Sequence, residues 1–179
     1  MPFTSKLALL LIAPMLSIGG CPTPPAPGTG GASVSTGGGA APVGGANPGG
    51  STSTKPDADR ILELVNVERT TRGLVPLTRN TQLDAAALAH ARDMRDNAFF
   101  DHTGSDGSTV GVRATAAGYP WTLVGENIGL ASVTPQRMMQ LWMDSTGHRA
   151  NILNSDFREL GVAVETNGDV LWVQVFGRK

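Results

Sequence analysis

The sequence predicts an α+β domain over residues 57–179. Three observations support this class. Apolar residues recur at helical spacing in three segments, apolar and small residues alternate over residues 124–132, and two apolar runs flank Asn167-Gly168 near the end of the chain. The segment is too short for two separate cores, so the helices and a small antiparallel sheet should share one.

Two helices begin the domain. The first starts at Asp57, whose negative charge favours a helix N-terminus, and ends near Gly73. The second starts at Thr81, which stands three residues before Asp84 in a capping-box spacing. His90 lies on or beside the buried stripe of this helix. We therefore interpret it as a core histidine bonded to a backbone group.

A loop, a short helix and a strand follow. His102 precedes the turn residues 103–107, which places its imidazole where a cleft could form. The short helix extends to about Ala117. In the strand, period-two alternation places Glu126 on a face of apolar side chains. A carboxylate there costs on the order of several kcal/mol unless it is paired, so Glu126 should have a dedicated partner.

The third long helix begins at Thr134-Pro135, an N-cap followed by proline at the first helical position. Its methionines are interpreted as core residues. Gly147 should end this helix in a left-handed conformation, which would place His148 in the exit turn.

The last element is predicted to be a β-hairpin. Asn167-Gly168 favours a tight two-residue turn. This turn would pair Val164 with Leu171 and Ala163 with Trp172.

Residues 1–20 have the form of a lipoprotein-type signal peptide. Lys6 precedes an apolar run too short to span a bilayer comfortably, and I-G-G-C at residues 18–21 resembles the bacterial lipobox. Cys21 is the single cysteine, so the chain has no intramolecular disulfide. We expect Cys21 to be lipidated and the protein to be an exported lipoprotein of the cell envelope or surface. The alternative is an ordinary secretion signal with Cys21 removed or idle.

Residues 21–56 are rich in Gly, Pro, Ser and Thr and lack aromatic residues, so they should form a flexible tether. As a Gly-rich coil it would span about 30 to 35 Å. The chain carries 14 Lys and Arg against 15 Asp and Glu, with no basic stripe. This pattern predicts no nucleic-acid partner.

Three polar residues stand in unusual places: His102, Glu126 and His148. Two imidazoles and one carboxylate match the ligand set of a zinc or similar divalent site with an open position. Ser145 lies three residues before His148, the spacing at which helical side chains meet. A catalytic Ser145–His148 pair oriented by Glu126 is therefore a second possibility.

Several motifs occur in a characteristic order: N-x-x-R-x-x-x-G-L-x-P-L at residues 66–77, A-x-x-H-A-x-D-M at 87–94, H-T-G-S-D-G at 102–107, G-E-N-I at 125–128 and W-x-x-S-x-G-H-R-x-N-I-L at 142–153. This order resembles the CAP superfamily of sperm-coating, antigen 5 and pathogenesis-related proteins, most closely its bacterial SCP-like members. The resemblance implies an α-β-α sandwich, with a small antiparallel sheet flanked by helices.

The resemblance also implies a cleft lined by two histidines and two glutamates, which binds a divalent metal in some members. His102 matches the first histidine, and Glu126 the carboxylate of G-E-N. The position of the second glutamate is Ser145 in this chain, and the lost carboxylate lowers the expected metal affinity. His148 is either a spatial substitute for the second histidine or a different residue.

These observations favour a membrane-tethered binding module without established catalysis. Its cleft, with His102, Glu126, Asn127 and His148, would take a small apolar molecule such as a lipid, an envelope component or a protein partner. The alternative is a peptide or cell-wall hydrolase that uses Ser145 and His148 or a metal. A third interpretation makes the polar residues a structural hydrogen-bond network. A His-Glu cluster should in any case make stability or binding vary between about pH 5 and 8.

Overall fold

A four-stranded sheet forms the middle layer of the protein. The computed structural model describes residues 56–167 and 169–179; the predicted signal peptide, Cys21 and nearly all of the predicted tether lie outside these residues. The elements in chain order are α1 (Asp57–Thr70), β1 (Thr78–Arg79), α2 (Thr81–Asp96), α3 (Val110–Ala116), β2 (Leu123–Leu130), α4 (Pro135–Asp144), α5 (Thr146–Ile152), β3 (Glu159–Asn167) and β4 (Asp169–Arg178). None of the helices described is long and apolar enough to cross a membrane.

The helices cover both faces of the sheet and create two apolar cores. On one face α1, α4 and α5 surround a core that includes Trp142 of α4 and Trp172 and Phe176 of β4. On the other face α2 and α3 pack against a core that includes Leu83, Ile128 and Val175. The α-β-α sandwich is therefore confirmed.

The sheet is mixed rather than purely antiparallel. Its strand order is β1-β3-β4-β2. β2 and β3 both run antiparallel to β4, whereas the two residues of β1 pair parallel with β3. The sequence did not predict β1, because two residues are too few to show an alternating pattern.

The predicted hairpin register was wrong by one residue. Val164 pairs with Trp172 and Ala163 with Val173, and Gly168 of the predicted turn lies outside the described residues. The cause is the close approach of α2: a Cβ atom on Gly161 would lie 2.1 Å from the carbonyl carbon of Leu83. Small residues of β3 must therefore face α2. Directly paired residues share a face, so Trp172 and Val164 both lie in the opposite core.

One helix cap and one helix boundary differ from the sequence prediction. The N-cap of α2 is Asn80, whose side chain accepts hydrogen bonds from the backbone of Gln82 and Leu83. Gly147 does not end a helix but lies inside α5, and the break falls at Ser145, whose backbone is extended. His148 is therefore a helical residue and not part of an exit turn.

The N-x-x-R motif of α1 fixes neighbouring segments of the chain. Asn66 exchanges two hydrogen bonds with the backbone of Leu77, at 2.9 and 2.7 Å. Arg69 is fully buried, and its Nη1 donates to the carbonyl oxygens of Ile152 and Asn154, each at 2.8 Å. These contacts tie α1 to the loop before β1 and to the end of α5.

Candidate functional site

Glu126 lies at the centre of a buried polar cluster between β2 and the helices α2 and α3. Its side chain is 2% exposed. His102 donates from Nδ1 to Oε1 at 2.9 Å, and Arg113 donates from Nη2 to Oε2 at 2.8 Å. Glu126 was predicted to have a dedicated partner, and the structure gives it two, His102 and Arg113.

His90 also belongs to this cluster. It is fully buried, and its Nε2 donates to the carbonyl oxygen of Asp101 at 2.9 Å, which agrees with the predicted core histidine. The same nitrogen lies 3.7 Å from Oε1 of Glu126. This proximity was not predicted. The position of His90 on the apolar stripe of α2 indicates that its side chain is buried, but it does not indicate which residues surround it.

The cluster shifts the protonation equilibria of two of its members. Burial raises the pKa of the Glu126 carboxyl, but the hydrogen bond from His102, the nearby His90 and the charge of Arg113 together outweigh burial, and the net pKa lies below its ordinary value. Burial lowers the pKa of His90 below its ordinary value of 6.5. The folded protein therefore favours a charged Glu126 beside a neutral His90.

Asn127 points to the opposite face of the sheet. It is fully buried there, and its Nδ2 donates to Oε1 of Gln174 at 3.0 Å and to the carbonyl oxygen of His148 at 3.2 Å. Asn151 of α5 donates to Oδ1 of Asn127 at 2.9 Å. These contacts form a buried amide network that attaches α5 to the sheet.

The four predicted cleft residues therefore do not form a single cluster. His102 and Glu126 meet on the α2 and α3 face, whereas Asn127 and the backbone of His148 meet on the α5 face. The reason is the alternation of β2, because successive residues of a strand point to opposite faces.

Residues 62–176 match the cysteine-rich secretory protein family, CAP. This match covers well over half of the chain. The chain belongs to the CAP family.

CAP relatives from bacteria share a substantial part of the sequence. The uncharacterized protein YkwD of Bacillus subtilis is 36% identical over 117 residues, which cover 65% of this chain and 45% of that protein. The uncharacterized membrane protein YlbC of the same organism is 33% identical over 106 residues, covering 59% of this chain and 31% of that protein. The chain thus spans less than half the length of either relative.

Solved structures have the same fold. An extracellular SCP-domain protein of Bacillus anthracis is 33% identical with a TM-score of 0.65, covering 69% of this chain and 40% of that one. An outer surface protein of Borrelia burgdorferi is 22% identical with the same TM-score, covering 71% of this chain and 96% of that one. The second likeness shows the fold alone.

The residues of this CAP domain do not fit the metal site that the resemblance implied. Among the described residues, no group of three His, Cys, Asp or Glu side chains is placed to hold a metal ion. Oε2 of Glu126 accepts a hydrogen bond from Arg113, and Ser145 stands where a second carboxylate would be. His148 belongs to a helix on the other side of β2. The predicted trio of His102, Glu126 and His148 is therefore not assembled as one ligand set.

An open groove lies beside the Glu126 cluster, between α2 and α3. Its volume is about 500 Å³, and its wall includes five alanines of α2 and of the end of α3: Ala85, Ala86, Ala89, Ala116 and Ala117. Asp93 and Ser105 lie at its polar side, and Arg113 also contributes to the wall. Some alanines of α2 therefore border open space and not the core.

Acidification should destabilise this domain. His90 and Glu126 both have a lowered pKa in the folded state, so the unfolded chain binds more protons than the folded chain as the pH falls. The His90 contribution is expected to disappear below its ordinary pKa of 6.5, and that of Glu126 below its ordinary pKa of 4.5. Urea unfolding from about pH 8 to about pH 4 measures the loss.

His90→Gln, which can keep a donor toward Asp101, should reduce the pH dependence near pH 6.5. An unfolding free energy that stays constant over the whole range would contradict this assignment of the protonation states.

Proposed function

We propose that this CAP domain is a binding module that takes a small apolar molecule into the groove between α2 and α3. The observation that carries the proposal is the groove itself, about 500 Å³ in volume, with a mainly apolar wall that includes five alanines. Ligand pockets typically measure about 300 to 1,000 Å³ and are mainly apolar. Short side chains make the groove wide enough for a ligand body, while Asp93 and Ser105 can orient a polar end.

Binding accounts for the polar cluster better than catalysis does. Both carboxylate oxygens of Glu126 accept hydrogen bonds from buried partners, so the cluster forms a rigid wall behind the groove. A Ser145–His148 pair would need an orienting carboxylate, and Glu126 points away from α5. The implied zinc ion is not part of this proposal.

We also propose that the domain is exported and held at a membrane by lipid on Cys21, with residues 21–56 as the tether. The I-G-G-C sequence and the Gly- and Pro-rich segment support this location. The descriptions of two relatives as an extracellular protein and a membrane protein are consistent with it. The tether would let the groove meet molecules of the cell envelope.

Ala89→Trp tests the groove. Ala89 is exposed on α2 and borders the groove, so an indole there should occupy the space without disturbing the core. The fluorescent probe N-phenyl-1-naphthylamine should bind the wild-type protein saturably. Its affinity should fall about tenfold or more in the variant, which corresponds to about 1.4 kcal/mol.

Ala150→Trp is the matched control, because Ala150 is an exposed helical alanine on α5 that does not border the groove. It should leave probe binding unchanged. Equal affinity in wild type and Ala89→Trp would contradict the proposal. Binding of a protein partner or an envelope polymer without any binding of the probe would also contradict it.

A further inference from the structure

We infer that Arg113 takes the place of a divalent cation beside Glu126 and keeps this site free of metal. The inference concerns the buried cluster and does not depend on what enters the groove. It begins with the placement of Arg113 on α3, whose inner face meets β2. The residue is 8% exposed, so its guanidinium is a nearly buried positive charge.

Arg113 is held by contacts on several sides. Its Nη2 donates to Oε2 of Glu126 at 2.8 Å and to the carbonyl oxygen of His102 at 3.0 Å. Its Nη1 donates to the carbonyl oxygen of Ser108 at 2.7 Å. The guanidinium therefore connects α3, β2 and the loop that carries His102. A structural metal ion would connect these segments in the same way.

The charges of the cluster are balanced without a metal. Glu126 contributes one negative charge, and Arg113, 2.8 Å away, contributes one positive charge. A divalent ion bound to Glu126 would lie next to the guanidinium, with a single carboxylate to compensate three positive charges. Buried like charges without compensation are strongly unfavourable. Arg113 thus excludes a metal ion in two ways: its positive charge repels the ion, and its hydrogen bond occupies Oε2 of Glu126.

Removal of Arg113 should change what the cluster binds. Oε1 of Glu126 lies 2.9 Å from Nδ1 of His102 and 3.7 Å from Nε2 of His90. Without the guanidinium, a buried carboxylate would lack its cation while two imidazoles remain beside it. These are the ligand types that zinc prefers, and small side-chain shifts would bring them to bonding distance.

The experiment compares wild type with Arg113→Met in the full chain. Zinc binding is measured by calorimetry, and Tm is measured in zinc chloride and in EDTA. The wild-type protein should show no zinc-dependent Tm and no stoichiometric heat. Arg113→Met should bind zinc about tenfold or more tightly than wild type, and zinc should raise its Tm because a ligand that binds only the folded state stabilises it.

Arg137→Met is the control, since it removes the same charge from an exposed position on α4. It should behave as wild type. Arg113→Met combined with His102→Gln should lose the gained zinc response. If Arg113→Met does not fold alone, refolding is followed by circular dichroism with and without zinc, and recovery only with zinc supports the inference.

Two results would overturn it. One is stoichiometric zinc binding by wild type that Glu126→Gln abolishes, because the guanidinium would then not exclude the ion. The other is an Arg113→Met protein, folded or unfolded, on which zinc has no effect beyond that seen with Arg137→Met.

Discussion

Glu126→Ala is expected to lower the free energy of unfolding by about 3 to 5 kcal/mol, because it leaves the charge of Arg113 buried without a carboxylate. The side chains of both residues are at most 8% exposed, so solvent cannot replace the lost partner. His102 loses its acceptor in the same variant. Urea unfolding at neutral pH measures the effect.

Glu68→Ala is the matched control. Glu68 pairs with Arg72 on the exposed side of α1, and a surface pair of this kind contributes up to about 1 kcal/mol. Replacing Glu126 and Arg113 together with Leu and Met should recover part of the stability, because no unpaired charge then remains. Equal losses for Glu126→Ala and Glu68→Ala would show that the cluster does not stabilise the fold.

Arg69→Met is expected to have an effect of similar size, about 3 to 5 kcal/mol. Methionine approximates the apolar volume of the side chain but cannot donate to the carbonyl oxygens of Val75, Ile152 and Asn154, which accept at 2.8 to 2.9 Å. A hydrogen bond to a charged group contributes about 1.5 to 3 kcal/mol, and a buried acceptor without a donor is costly. Urea unfolding gives the total loss.

Hydrogen exchange would locate the effect of Arg69→Met. Faster exchange should be concentrated at the end of α5 and in the loop after α1, the two segments that Arg69 joins. Arg72→Met provides the control, since Arg72 is exposed in the turn that follows the same helix. A stability loss no larger than that of the control would refute the role given to Arg69.

Local patterns in the sequence predicted much of the fold. Thr134 caps α4 as expected, and its side chain accepts a hydrogen bond from the backbone of Arg137. The alternation of β2 placed Glu126 on the apolar face correctly. Each of these features depends only on residues that are close together in the sequence, so a short segment is enough to predict it.

The partners of Glu126 could not be predicted in the same way. His102 lies 24 residues before it and Arg113 lies 13 residues before it. Nothing local to α3 indicates that its arginine points inward rather than to solvent. His148 was grouped with Glu126 because the sequence does not show on which face of the sheet a later helix packs.

The strand order has a consequence for the timing of folding. β4 pairs with both β2 and β3, and it follows all the other described elements along the chain. Until β4 has been made, β2 lacks the strand with which it pairs, and each apolar core lacks the side chains that β4 contributes. We therefore expect the two cores to form only after β4 has left the ribosome, so that folding of the domain follows its synthesis instead of accompanying it.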